Sequence, residues 1–126
     1  MKHNLFIDDL REQPLEFDLI ARDAFEAMKF IDKFDDFGII SFDHDLGIDE
    51  DGQEYSGFNV IYHLLEKLFN GEEKNIDEIY VHSDNVNSTS MIKALKQAQK
   101  RGIIPKETYI HDRKVNFREK YTFKKD

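Results

Sequence analysis

Leu5-Phe6-Ile7-Asp8-Asp9 and Ile39-Ile40-Ser41-Phe42-Asp43-His44-Asp45 decide the reading of this chain. Each is an apolar run of strand length that ends abruptly in carboxylates. Runs without polar alternation fit strands covered on both faces, as in a parallel sheet. Open α/β sheets place their ligands at the C-terminal ends of such strands. Carboxylates crowded there repel one another until a cation or a shared proton neutralises them. A hard ion such as Mg²⁺ suits an all-oxygen donor set. A third run, Ile79-Tyr80-Val81-His82-Ser83, ends in an imidazole and a hydroxyl and adds proton-transfer groups to the same rim. The pattern points to phosphate chemistry.

Outward from these runs the chain alternates strand and helix. Asn4–Asp8 is the first strand and Phe17–Ala21 a weaker second. Asp23 and Glu26 have capping-box spacing before a helix with Phe25, Met28, Ile31 and Phe34 along one face. Gly38–Asp43 is the third strand. Ser56 caps a helix carrying Phe58, Ile61, Leu64, Leu65 and Leu68, stopped by Gly71. Ile79–His82 is the fourth strand. Asn87 or Ser88 opens a helix with Met91, Ile92, Leu95 and Ala98 facing inward, ended by Gly102. Thr108–Ile110 is a short fifth strand. The alternation predicts a three-layer α/β/α domain with a doubly wound parallel sheet. Only Leu10–Glu16 separates the first two strands, too little for a crossover helix, so an irregular loop is expected there. Asp49-Glu50-Asp51-Gly52 has loop composition with a turn-forming Asp-Gly step.

The 126 residues suffice for one domain with a core, and the absence of cysteine excludes disulfides and thiolate metal sites. No apolar run approaches bilayer length and no signal-peptide core opens the chain, so a soluble cytoplasmic protein, free of the membrane, is expected. The net charge of −8 is uneven. Residues 112–126 hold six Lys/Arg against three acids, a surplus of +3, which leaves −11 for residues 1–111. So acidic a body disfavours broad duplex nucleic-acid binding. The basic segment can still hold one phosphate group or a short oligonucleotide; a solvated tail docked by Phe117, Tyr121 and Phe123 is the plainer reading.

An acidic pair after strand one, an aspartate after strand three and a serine after strand four resemble the response-regulator receiver domain. That flavodoxin-like resemblance covers residues 4 to about 110 and implies strand order 2-1-3-4-5. It divides the chain into a receiver-like domain, 1–111, and a basic tail or final element, 112–126. By the same resemblance Asp8 and Asp9 match the metal-binding pair and Asp43 the phospho-acceptor. Asp45 matches the position whose backbone carbonyl binds metal, and Ser83 the hydroxyl that contacts the phosphoryl group. The chain departs from that pattern in three ways. The first crossover helix is missing, the lysine after strand five is replaced by His111-Asp112-Arg113, and His44 and His82 occupy the rim. Asp8-Asp9-x-Arg11, Ser41-Phe42-Asp43-His44-Asp45-Leu46 and Val81-His82-Ser83-Asp84-Asn85 resemble a narrower group, the cyclic-phosphate-processing receiver-like domain. This implies action on cyclic phosphates.

The expected site follows. Asp8, Asp9, Asp43 and Asp45 hold Mg²⁺, with Mn²⁺ also fitting and Zn²⁺ favoured only by a neutral His44. His44, His82 and Asp43 carry the chemistry, the two imidazoles sharing base and acid duties across one phosphorus. Regular alternation aims His44 away from its neighbours unless the chain bends after Asp43. Arg11, Ser83 and Asn85 bind substrate, Arg11 through its planar fork, with a surface salt bridge as the other reading of Arg11. Ser88 and Thr89 are simple capping groups or phosphate contacts. The expected function is a metal-dependent phosphoesterase for 2′,3′-cyclic RNA ends or cyclic nucleotides. The alternatives are a stand-alone phospho-accepting receiver and a non-enzymatic module that binds a cyclic nucleotide or a protein partner.

Overall fold

The computed structural model describes residues 1–83 and 86–125. Its elements are β1 (His3–Ile7), β2 (Leu19–Ala21), α1 (Ala24–Lys33), β3 (Asp36–Phe42), β4 (Asp45–Ile48), β5 (Glu54–Ser56), α2 (Gly57–Phe69), β6 (Asn75–Val81), α3 (Ser88–Lys100), β7 (Tyr109–Ile110) and α4 (Phe117–Lys120). Five strands form one sheet in the order β2-β1-β3-β6-β7, with every neighbouring pair parallel. This is the expected 2-1-3-4-5 order, with β6 and β7 as the fourth and fifth strands: an α/β receiver-like fold. Among the described residues no helix is long and apolar enough to cross a membrane.

Side-chain alternation divides the sheet into two faces. Leu5, Ile7, Ile40, Phe42 and Val81 pack on one face against Ile31 of α1, Ile61 and Leu64 of α2, and Met91 and Leu95 of α3. The inward stripe of α1 agrees with the expected one at Ile31, with Met28 and Phe34 packed at its margin, and departs from it at Phe25. It runs through Ala24, Ala27 and Ile31, which lets the helix lie close to the sheet. Phe25 is half exposed and stacks edge-on against Tyr55, with ring centroids 4.9 Å apart. Phe34 is the C-cap residue of α1 rather than part of the helix.

The opposite face is covered differently because no helix links β1 to β2. Phe6 of the sheet packs there against Phe17 of the connecting loop and Phe117 and Tyr121 of the C-terminal segment. Polar clamps replace the missing helix. The Asn4 side chain donates to the Glu16 carbonyl at 2.8 Å and accepts from the Ile39 N–H at 2.9 Å. Asp18 accepts the Asn4 N–H at 2.6 Å. The loop is in turn tied to the chain's last residues, since Leu15 N–H donates to the Thr122 carbonyl and Thr122 N–H to the Glu16 carboxylate. Residues 112–125 therefore close a sheet face, with Phe117 and Tyr121 almost fully buried.

The stretch after Asp43 holds an antiparallel hairpin, β4 with β5, which the loop reading of Asp49–Gly52 did not anticipate. The acidic tetrad is its turn: the Asp49 carboxylate accepts N–H groups from Asp51 and Gln53, and Gly52 takes a positive φ of 81°. The hairpin delivers α2 back to the sheet, where Ser56 caps it in a reciprocal box with Asn59. Gly57 opens the helix in a confined place. A Cβ built on it meets the Asp43 carbonyl oxygen at 2.2 Å and Met91 Cε at 2.4 Å.

Two outcomes are expected in denaturant melts. Gly57→Ala destabilises the fold by about 2 kcal/mol or more, because backbone rather than a flexible side-chain tip blocks the new methyl. Tyr121→Ala costs about 3 kcal/mol or more, the loss typical of a buried aromatic, and a solvated tail would cost nothing.

Candidate functional site

Asp8, at the end of β1, is almost fully buried, and each of its oxygens has a task. Oδ1 accepts the N–H groups of Leu10 at 2.9 Å and Arg11 at 2.8 Å, folding the turn that carries Asp9 and Arg11. Oδ2 lies 2.9 Å from Nε2 of His82 and 3.5 Å from the Arg11 guanidinium. Arg22, just past β2, reaches back to donate to the carbonyls of Asp8 and Arg11. The turn is thus held from inside by a carboxylate and from outside by a guanidinium. The role of Arg22 is not readable from any local motif.

Parallel pairing of Ile7 with Phe42 and of Phe42 with Val81 brings the three strand ends level. Asp8, Asp9, Leu10, Arg11, Asp43, Asp45 and Ser83 line one cavity of about 240 Å³ at that edge. All four expected metal-binding aspartates are there, with Arg11 and Ser83. Asn85 lies outside the described residues.

The two imidazoles are placed differently from one another. His82 is fully buried beneath the cavity, not on its wall. Its Nε2 meets Asp8, its Nδ1 lies 2.7 Å from Ser41 Oγ, and its ring stacks on Phe6 at 4.7 Å. Ser41 Oγ is in turn 2.6 Å from the Tyr121 hydroxyl. A buried chain Asp8–His82–Ser41–Tyr121 therefore joins the cavity floor to the C-terminal segment. His44 turns aside where the strand ends. Its Nδ1 lies 2.9 Å from Asp45 Oδ1, its ring abuts Phe58 edge-on, and its carbonyl accepts the Gly57 N–H. The two rings do not face one another across the cavity.

Other expected contacts are accounted for elsewhere. Ser88 donates to the Ser83 carbonyl at 2.7 Å, bracing the loop before α3. His111 stacks on Tyr80 at 3.7 Å and lies 3.2 Å from Glu78, away from the cavity. The buried lysine, Lys74, precedes β6 at the opposite end of the sheet, where it donates to the Phe34 carbonyl and Asp35.

Electrostatics set the aspartates apart. Burial works to raise Asp8, but hydrogen bonds from His82 and from the Arg11 and Leu10 N–H groups prevail and hold its pKa at about 2, below the ordinary 3.8. Asp43 is pushed up by burial and by the negative charge of Asp8, against the His82 ring, the His44 N–H and a hydrogen bond with Ser83. Asp9 is pushed up by burial and by the charges of Asp8 and Asp45. The cavity is thus a place where negative charge is in excess and desolvated, which is the condition a cation relieves.

Two comparisons, with curated proteins and with solved structures, give no match. A third does: the family model described as the cyclic-phosphate processing receiver domain matches residues 3–98. The match takes in β1 through most of α3, with all the described cavity residues, and it stops short of the segment that closes the second sheet face. On that coverage, with the receiver-like sheet beneath it, this chain belongs to the cyclic-phosphate processing receiver domain family.

Proposed function

We propose that this protein is a metal-dependent phosphoesterase that opens cyclic phosphates, whether 2′,3′-cyclic RNA ends or cyclic nucleotides. The observation that carries the reading is the convergence of four aspartates, one arginine and one serine on a single cavity. The donor set fits Mg²⁺, and Mn²⁺ equally: it offers carboxylate oxygens, and two of the four acids are pushed up by burial and by neighbouring negative charge. Atoms of Asp8, Asp43 and His82 lie within 4.8 Å of one another. Both His82 nitrogens are engaged, so Asp8, Asp9, Asp43 and Asp45 are the residues that would hold the ion. When bound, it neutralises charge on the phosphate oxygens.

The chain's own groups supply the rest. Arg11 presents its fork to a phosphate oxygen, and Ser83 orients another. Ring opening adds one water: a new O–P bond forms, one ring P–O bond breaks, and a proton reaches the departing sugar oxygen. The Asp45–His44 pair at the rim, with Asp45 on the wall and His44 behind it, exchanges protons between cavity and solvent. His82 works through Asp8 as a positioning residue, fixing the rotamer of that carboxylate. The second reading, a receiver phosphorylated on Asp43, is favoured by the hydrogen bond between Ser83 and Asp43. An acyl phosphate that persists on Asp43 after treatment with a small phosphodonor, without turnover of cyclic phosphate, would select it.

Three outcomes are expected. Hydrolysis of a nucleoside 2′,3′-cyclic phosphate is lost on chelation, returns with Mg²⁺, and falls at least about 100-fold in Asp43→Asn; turnover in the presence of chelator rejects the mechanism. His44→Ala lowers kcat and costs some stability through its lost contacts with Phe58 and Asp45, whereas His44→Gln, which keeps a polar side chain there, also loses kcat with a smaller drop in the melting midpoint. His82→Ala lowers both, because Asp8 and Ser41 lose a buried partner, a cost of about 1–3 kcal/mol each. The third concerns the metal-free protein. A carboxyl raised on folding favours the native state while protonated, and that advantage is lost as pH rises through its folded pKa. Asp43→Asn is therefore more stable than the parent at pH 7, and the difference vanishes below about pH 4. Melts across that range with chelator present measure it.

A further inference from the structure

Beside the acidic cavity lies a second one, of about 210 Å³, lined by Arg11, Asn116, Phe117 and Arg118. Arg11 belongs to both walls, so the two cavities are neighbours. Their chemistry is opposite: four carboxylates line one, two guanidiniums and no carboxylate the other. The arginines are held by the same aromatic ring. Arg11 stands 5.3 Å and Arg118 5.2 Å from the Phe117 centroid, and Arg118 also lies 4.7 Å from that of Phe123. Phe117 is itself locked in the sheet-face cluster with Phe6 and Tyr121, so the platform is anchored in the fold. The Arg118 side chain is 66% exposed, and its contact with Glu12, at 3.5 Å, is a surface ion pair that an incoming anion displaces at little cost. Residues 112–126 carry a net charge of +3 against −11 for the rest of the chain, and they lie outside the family match.

We propose that the cavity between Arg11 and Arg118 binds the phosphodiester that precedes a cyclic terminus, so that the substrate is the 3′ end of a single RNA strand rather than a free mononucleotide. This rests on the phosphoesterase reading for the acidic cavity. Guanidinium forks match the paired oxygens of a phosphodiester, and a guanidinium plane backed by aromatic rings is a surface on which an unpaired base stacks. Only RNA has the 2′-hydroxyl needed to form a 2′,3′-cyclic end. The acidic body limits the contact to one or two phosphates, which predicts a shallow salt dependence, with a slope near −1 in a log–log plot.

The test compares a short 5′-fluorescein-labelled RNA ending in a 2′,3′-cyclic phosphate with cytidine 2′,3′-cyclic phosphate, using the full chain with Mg²⁺. The parent protein is expected to show a KM about tenfold lower for the strand, the effect of one charge-assisted contact. Arg118→Glu raises the strand's KM by about tenfold or more at constant kcat and leaves the mononucleotide's constants alone; Arg118→Lys falls between. Equal KM values for the two substrates, or equal losses on both in Arg118→Glu, overturn the proposal. If neither substrate turns over, fluorescence anisotropy of the labelled strand decides separately. Binding that weakens in Arg118→Glu supports the subsite while the reaction reading fails; absent binding, or binding indifferent to residue 118, sinks the subsite as well.

Discussion

A single carboxylate organises this molecule. Asp8 folds the turn after β1 through one oxygen and anchors His82 through the other, so the same group sets loop geometry and electrostatics. Its low pKa means that the negative charge is present throughout the neutral range. Asp9 and Asp43 are driven the other way, by burial first and then by that charge. One site therefore contains a carboxylate secured by donors and two that are poorly accommodated. Environment, not residue type, separates their roles.

That separation explains why the surroundings are so heavily braced. Arg22 grips the turn carbonyls, Gly57 lets α2 touch the Asp43 backbone, and Ser88 ties down the Ser83 carbonyl. Arg22, Gly57 and Ser88 are not among the residues that line the cavity. Each restricts the motion by which crowded carboxylates would otherwise splay apart. Such support is what a preorganised site requires, since binding groups that relax outward lose their convergence.

The sheet was legible because apolar runs and terminal acids are local signals: Leu5–Ile7 with Asp8, and Ile39–Phe42 with Asp43, state strand and rim together. The short spacing between the first strands likewise exposed the missing crossover helix. Where partners are distant in sequence, the text is silent. Arg22 looks like any surface arginine, and Gly57 like an ordinary small residue after a cap. The α1 face was read in part: Met28, Ile31 and Phe34 do pack on the core, but Ala24 and Ala27, the smaller residues that close packing on a sheet selects, were passed over, and Phe25 lies half exposed. His44 and His82 were readable as residues at strand ends. Where their rings point depends on Phe58, Asp45, Phe6 and Ser41, all of them on other elements or beyond the strand's end.

The bond between Ser41 and Tyr121 spans 80 positions of chain. Contacts of such separation form late, because a long loop must close before they repay its entropy. In chain order β1, β3 and β6 all precede Phe117 and Tyr121, and until that segment is in place Phe17 alone of the cluster covers Phe6. The cavity edge and the aromatic closure are joined through the Ser41–Tyr121 bond, since His82 touches both Asp8 and Ser41. A chain cut before Phe117 leaves that aromatic sheet face largely uncovered, the kind of surface that chaperones and proteases recognise.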